Sequence, residues 1–269
     1  MSRFVSKIRT TVKYASTGIR LGGDFRSKWL LASMLGRSKL RYFREFSRSN
    51  TFGAAIRFGE LQSVLHFRAD DIFIVHEVFA GDGYVVDALR DDPPRSIVDL
   101  GAHIGLATLR FKASFPEATV HCFEPDPDNF KLLTLNTQNL NGVVCHQEAV
   151  GATSGEAVFY LCPHRHTAGS LKKQGNELVI DVPCLVRSLD DILSIIGAVD
   201  LIKFDIEGAE YEVFAHSKLA HEVEHIVGEM KGGPEELRRF CALFLDHVAR
   251  WRSITPRMHL IYLQHKASY

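Results

Sequence analysis

Three groups of residues in this sequence have the types and spacing that chemistry needs. The first is Ile97-Val98-Asp99-Leu100-Gly101-Ala102-His103-Ile104-Gly105, where an apolar run of strand length meets a glycine turn that opens a helix. Such a turn lets the backbone approach a ligand closely and aims free N–H groups at it. The second is Glu124, nineteen residues beyond Gly105, at the end of the next apolar run in His121-Cys122-Phe123-Glu124-Pro125-Asp126. A carboxylate there can accept both hydroxyl hydrogens of a ribose, so turn and acid together read as a nucleoside site at the switch point of a sheet. The third is Lys203-Phe204-Asp205-Ile206-Glu207-Gly208-Ala209-Glu210, which closes the apolar run 199–204. Acids so near an apolar strand end are costly to bury unless they serve a ligand, a metal or a cation.

The apolar pattern predicts the elements that position these groups. After the Asp-Asp-Pro-Pro break at 91–94, strand-length runs alternate with helical spacing. Strands are expected at 96–100, 119–123, 143–150, 199–204 and 225–230, and a last one at 259–265. Helices are expected between them, one opened by the capping-box spacing Ser188-x-x-Asp191. Another starts at Pro234 with Leu237, Phe240, Cys241, Phe244 and Val248 on one face. A β-prone excursion, 156–161 and 177–185, interrupts the series. Upstream, two β-prone runs meet at Gly59-Glu60, and Asp70-Asp71 starts a helix through Phe79. This alternation argues a doubly wound, mostly parallel α/β sheet.

The block VDLGAHIGLATLRFKASFPEATVHCFEPDPDNFKLLTLNTQN, then EAVG at 148–151, VRSLDDIL at 186–193 and VDLIKFDIEGAEYEVF at 199–214, resembles the FkbM-type S-adenosylmethionine-dependent methyltransferases. The likeness runs from about residue 70 to 232, with ordered motifs at the family's usual separations. It implies a Rossmann-like seven-stranded fold whose final strand is antiparallel, and S-adenosylmethionine as cofactor. It further implies methylation of a hydroxyl on a sugar, a glycan or glycolipid, or another small secondary metabolite. By the same resemblance Asp99, Gly101, Ala102, His103 and Gly105 surround the cofactor's amino-acid portion. Glu124 binds its ribose and Glu148 lies toward its adenine, while Asp205 and Glu207 form the motif ending the fourth strand. His103 stands where the family pattern usually carries Asn.

Methyl transfer needs alignment, exclusion of water and, for an alcohol, a proton acceptor. Asp205 is the first candidate for that base, and it also stands among the cofactor contacts. Glu207 is read as its catalytic partner or as a helix N-terminal cap. His164 and His166 are the second candidates for the base, with exposed loop histidines as the other reading. No residues are assigned to a metal.

Composition limits the alternatives. Hydrophobic residues at 46% and charged residues at 24% describe a chain that buries a core, and no apolar run reaches the length of a membrane span. Five scattered cysteines without a C-x-x-C pair argue against a disulfide framework and for a reducing, cytoplasmic setting. Residues 1–50 carry 12 Lys and Arg against Asp24 and Glu45, a net of +10, so residues 51–269 carry −10. Within this basic segment Val5, Ile8, Val12, Ala15 and Ile19 recur at helical spacing. Three readings stay open for it: a helix on an anionic membrane, an organellar transit peptide, or a helix packed on the domain of residues 51–269.

A nicotinamide-dependent oxidoreductase is disfavoured by the G-x-x-x-G spacing, and a nucleic-acid methyltransferase by Phe204-Asp205-Ile206-Glu207. A cofactor-binding membrane adaptor without turnover is the non-enzymatic alternative. His221-Glu222-Val223-Glu224-His225 fits the zinc-peptidase pattern H-E-x-x-H, but His225 begins a β-prone run that breaks the helix the pattern needs. The expected partners are a small-molecule or glycan acceptor and no nucleic acid, with residues 1–50 as the segment for any peripheral membrane contact.

Overall fold

The computed structural model describes residues 2–38, 50–80, 84, 89, 92–162, 165–171 and 179–266. A helical hairpin, α1 (Ser2–Leu21) and α2 (Phe25–Ser38), precedes a β-hairpin, β1 (Thr51–Phe58) and β2 (Leu61–Arg68), and then α3 (Ile72–Ala80). The α/β series follows as β3 (Ser96–Leu100), α4 (Leu106–Ser114), β4 (Thr119–Phe123), α5 (Pro127–Thr137) and β5 (Val143–His146). Four strands then leave the series: β6 (Ala149–Gly151), β7 (Gly155–Cys162), β8 (Arg165–Ser170) and β9 (Ile180–Ser188). It resumes with α6 (Leu189–Ile196), β10 (Leu201–Phe204), α7 (Glu210–His216), β11 (His225–Lys231), α8 (Pro234–Cys241), β12 (His247–Thr255) and β13 (Met258–His265).

The central sheet has seven strands in the order β12-β13-β11-β10-β3-β4-β5. All pairings from β11 to β5 are parallel, and β13 alone runs against its neighbours, wedged between β11 and β12. Both faces of the sheet are covered. Ile97, Val120, Leu201 and Val227 point into a core with α3, α4 and the helical hairpin; Val98, Ile202, Phe204 and Ile226 point into a second core with α6, α7 and α8. Such double burial explains why the strands read as continuous apolar runs.

Several expected boundaries move. The apolar run 143–150 divides into β5 and β6, and β6 joins the separate four-stranded sheet β6-β9-β7-β8. The spacing that predicts a helix through Val248 outlives the helix, because α8 ends at Cys241 and Val248 lies in β12. Phe244 still buries beside Phe240 and Phe214, at ring separations of 5.5 and 5.7 Å, from the turn beyond the helix end. Periodicity here records burial, not helix. The zinc-peptidase pattern also dissolves. His221 sits in a 3-10 turn, while His225 opens β11 and pairs its Nδ1 with the Tyr262 hydroxyl at 3.0 Å. Among the described residues, no group of His, Cys, Asp and Glu could hold a metal ion.

The helical hairpin packs through small residues, Ala15 of the apolar stripe among them, while the side chains of Val5 and Ile8 lie outside the described residues. Val12 and Ile19 are exposed, whereas Thr17, Gly18 and Leu21 turn inward. At Gly18 an added Cβ would lie 2.4 Å from the Ala32 nitrogen, and Gly36 faces Ala15 and Thr11 at 3.7 Å. Close helix crossing selects small side chains, which hydrophobic spacing does not score. The hairpin is tied to the domain by Tyr14 stacked on His76 and by Thr17 Oγ1 at 2.9 Å from His76 Nδ1. It also shares a core with it, through Leu21, Leu31 and Leu35 against Ile56 and Phe67.

The contrast between the two glycines is testable. Gly18→Val should lower stability by about 1–3 kcal/mol, the usual cost of overpacking. Gly36→Ala, with room for its methyl, should be neutral or gain up to about 1 kcal/mol of helix propensity. Urea unfolding midpoints of the two variants measure both.

Candidate active site

A cavity of about 700 Å³ opens where the strands of the parallel sheet end. Gly101, Ala102 and His103 line it from the turn after β3, Glu124 and Asp126 from the end of β4, and Glu148 from beyond β5. Asp205, Ile206 and Glu207 line it from the turn after β10, and Glu229 and Lys231 from β11. The chain reverses its winding direction at β3 and β10, so the cavity lies at the switch point of the sheet.

Gly101 takes a φ of 73°, and a Cβ there would meet the Asp205 carbonyl oxygen at 1.9 Å. Glycine is thus required because two strand-end turns cross at this point. His103 is also left-handed, with a φ of 52°. Asn, Asp and His are the side chains that tolerate this region best, which accounts for His at a position where Asn is the family's usual residue. The backbone N–H of His103 donates to Glu124 Oε2 at 2.8 Å, while Glu124 Oε1 accepts from the Asp126 N–H and the Asn129 amide at 3.0 and 3.3 Å. Burial, reinforced by the Asp126 charge, pushes the Glu124 carboxyl up to about 7.

A buried polar network holds this edge in place. Arg68 pairs with Asp71 at 3.0 Å and donates to Asn129 Oδ1 at 2.5 Å; Asp71 Oδ1 also lies 3.5 Å from His103 Nε2. Burial, and then the Arg68 charge, hold the His103 imidazole down to about 4 against the pull of Asp71, so it is neutral at pH 7. Asn129 sits on α5, which is capped by Asp126 accepting the Asp128 N–H at 2.8 Å. Neither Arg68 nor Asp71 is legible as a site residue, since their link to the loop spans the fold.

Two residues named from the sequence do not reach the cavity. Asp99 is fully buried, 2.9 Å from Lys203 Nζ, and accepts from Thr108 Oγ1 at 2.8 Å. Gly105, with a φ of 86°, opens α4 against Leu133 of α5. Glu148 does line the cavity, but Arg187 holds both its oxygens, at 2.7 and 2.6 Å, and keeps the carboxyl below its ordinary range.

At the other end, Glu207 has a φ of 56° and pairs with Lys231, whose Nζ lies 3.9 Å from Asp205 Oδ1. That distance exceeds a hydrogen bond, and Asp205 Oδ1 is buried without a hydrogen-bond partner among the described residues. Burial opposes the Lys231 charge, but Asp205 and Glu207 outweigh it and its pKa is raised. Burial, with the charges of Asp205 and Glu77, pushes the Glu229 carboxyl up. Glu210 opens α7, accepts the Gly208 N–H at 2.9 Å and is pushed up to about 7 by burial. Sequence reading passes over Lys203, Glu229 and Lys231 as site residues. Their signal is a charge inside an otherwise apolar strand.

Phe159 and Gly169 of the four-stranded sheet, with Leu171 just beyond β8, line one side of the cavity, and Ser170 Oγ donates to the Glu207 carbonyl at 3.2 Å. The expected histidine bases are not brought into view: His164 lies outside the described residues, as does the side chain of His166.

A seven-stranded sheet with its last strand reversed, a glycine turn and acids at successive strand ends define the class: a Rossmann-like methyltransferase fold, whose cofactor is S-adenosylmethionine. Within it, residues 99–255 match the methyltransferase FkbM domain, and the chain belongs to that family. "Methyltransferase 1" of Beauveria bassiana is 29% identical over 164 residues, covering 52% of this chain and 65% of that protein. The chain therefore spans just under two thirds of that relative. "2-O-methyltransferase NoeI" of Sinorhizobium fredii is 30% identical, over 49% of this chain and 60% of its own. "31-O-demethyl-FK506 methyltransferase FkbM" of Streptomyces tacrolimicus is 26% identical over 69% and 84%.

Lys203→Met should lower stability by about 3–5 kcal/mol, because Asp99 would be left as an unpaired buried charge. The double variant Asp99→Leu, Lys203→Met should recover a large part of the loss. Denaturant titration of the three proteins measures it, and equal losses in the single and double variants would contradict the pairing.

Proposed function

We propose that this protein is an S-adenosylmethionine-dependent O-methyltransferase whose acceptor is a hydroxyl of a sugar, a glycan or glycolipid, or another small secondary metabolite. The observation that carries the reading is the partly exposed Asp205 carboxylate at the end of β10, which lines the same cavity as Glu124 at the end of β4. Two relatives named for O-methylation support the hydroxyl as target.

The residues fit the cofactor. Glu124 would take the ribose hydroxyls, Gly101, Ala102 and His103 the amino-acid portion, and Glu148 the adenine end. When bound, S-adenosylmethionine supplies an activated methyl group for in-line displacement. Asp205 orients the acceptor hydroxyl and takes its proton as the oxygen attacks. Lys231 pairs with Glu207 and turns it toward the same end, where Glu229 also lines the cavity. Phe159, Leu171, Phe73 and Met258 exclude water from the cavity.

Asp205→Asn should retain most S-adenosylmethionine affinity and lower turnover about a hundredfold or more, with a smaller loss for Glu207→Gln. Transfer of labelled methyl to hydroxylated acceptors reads this, and alkali stability of the product separates an ether from an ester. An Asp205→Asn protein that works at the wild-type rate would overturn the assignment.

The cofactor site should also depend on pH. Ribose hydroxyls donate to the ionised carboxyl, and Glu124 titrates at about 7. S-adenosylmethionine affinity should therefore rise with pH, by up to about tenfold per unit below 7, and level off above it. Calorimetry across this range should show the rise in the wild type and lose it in Glu124→Gln.

A further inference from the structure

The two rows of apolar side chains that the helical hairpin leaves in solvent have no partner among the described residues. On α1, Val12 and Ile19 stand two turns apart, at 61% and 54% exposure; on α2, Phe25 and Trp29 stand one turn apart, at 87% and 65%. The other side of the same hairpin is fully used, by the Gly18 crossing, the His76 contacts and the shared core. The exposed rows are interleaved with Lys13, Arg20, Arg26, Lys28 and Arg37. Among the described residues 2–38 the one acid, Asp24, accepts the Ser27 N–H at 2.7 Å at the start of α2.

We propose that this solvent face of α1 and α2 docks the protein on an anionic lipid surface. Charge complementarity commits the occupant: residues 1–50 carry a net of +10 in a chain that is otherwise −10. The anionic surface attracts the cations within about a Debye length, while the aromatic and aliphatic side chains enter the headgroup and acyl boundary. Trp at that depth keeps its N–H in contact with water while its ring is buried, the preference that concentrates Trp at membrane interfaces. A face kept only for solubility has no use for a Phe at such exposure. Val12 and Ile19 gain nothing from phosphates or bases, which sets this surface apart from a nucleic-acid groove. Lys13, exposed on the flank of α1 next to Val12, also lines the cavity, so the docking face adjoins the cavity's rim.

The test needs neither cofactor nor acceptor and stands independently of the proposed reaction. The full chain is sedimented with vesicles of phosphatidylcholine alone and of equal parts phosphatidylcholine and phosphatidylglycerol. Binding should be at least about tenfold tighter on the anionic vesicles and should weaken with salt. It should fall by about tenfold or more in Phe25→Ser, Trp29→Ser, and also in Arg20→Glu, Arg26→Glu, Lys28→Glu. In a Trp251→Phe background the emission of Trp29 should shift to the blue on anionic vesicles, a readout that needs no change to the face itself. Equal binding to both vesicle types, an unshifted Trp29 emission, an aromatic variant that binds like the wild type, or tighter binding to an RNA duplex would each overturn the proposal.

Discussion

The site depends on one buried ion pair at the centre of the sheet. Asp99 and Lys203 are register partners on β3 and β10, the two strands from which the chain winds in opposite directions. Lys203 Nζ reaches Asp99 at 2.9 Å and the Gly101 carbonyl at 2.7 Å, so one ammonium joins strand to strand and strand to turn. Burial works against that charge, but Asp99 and then Asp205 more than restore it. A charge pair in this position adds little to net stability. It fixes where the glycine turn lies relative to Asp205, and hence where the nucleoside half of the cavity meets the half that bears the acids.

Around this pair the turns are held under local strain. His103 and Glu207 are both non-glycine residues in the left-handed region, a conformation that costs on the order of 1–3 kcal/mol each. Each is restrained by a partner from another element. The His103 N–H is taken by Glu124, and the Glu207 carboxylate by Lys231, while its carbonyl accepts from Ser170. The strain is thus tolerated because β4, β8 and β11 supply the bonds. It orients a backbone N–H and a carboxylate that relaxed turns would aim elsewhere.

Elements outside the central sheet complete the cavity. The four-stranded sheet and the residue after β8 bring Phe159 and Leu171, α3 brings Phe73 and Glu77, and the adjoining ends of β12 and β13 bring Ile254 and Met258. These surroundings, grafted on the sheet, shape the part of the cavity that an acceptor would meet. The same division separates the two sides of the helical hairpin. Its inner side belongs to the core, and its outer side carries a charge and apolar exposure that the fold does not require.

The sequence by itself determined the alternation of strands and helices, the glycine turn and the acids at the strand ends. Each of these is a local pattern: an apolar run, a positive-φ turn, a carboxylate a fixed distance beyond it. Tertiary structure alone decided what those residues touch. Asp99 is drawn to Lys203 and away from the cavity, and Glu148 is held by Arg187. Lys231 arrives beside Glu207 from the end of β11, a strand whose spacing along the chain gives no sign of that partner. The stripe of Val12 and Ile19 faces water because helix crossing at Gly18 selects small residues over hydrophobic ones. Local patterns report the conformation of a segment. Pairing between segments distant in sequence depends on strand order and on which charges burial brings together, and no spacing along the chain encodes that.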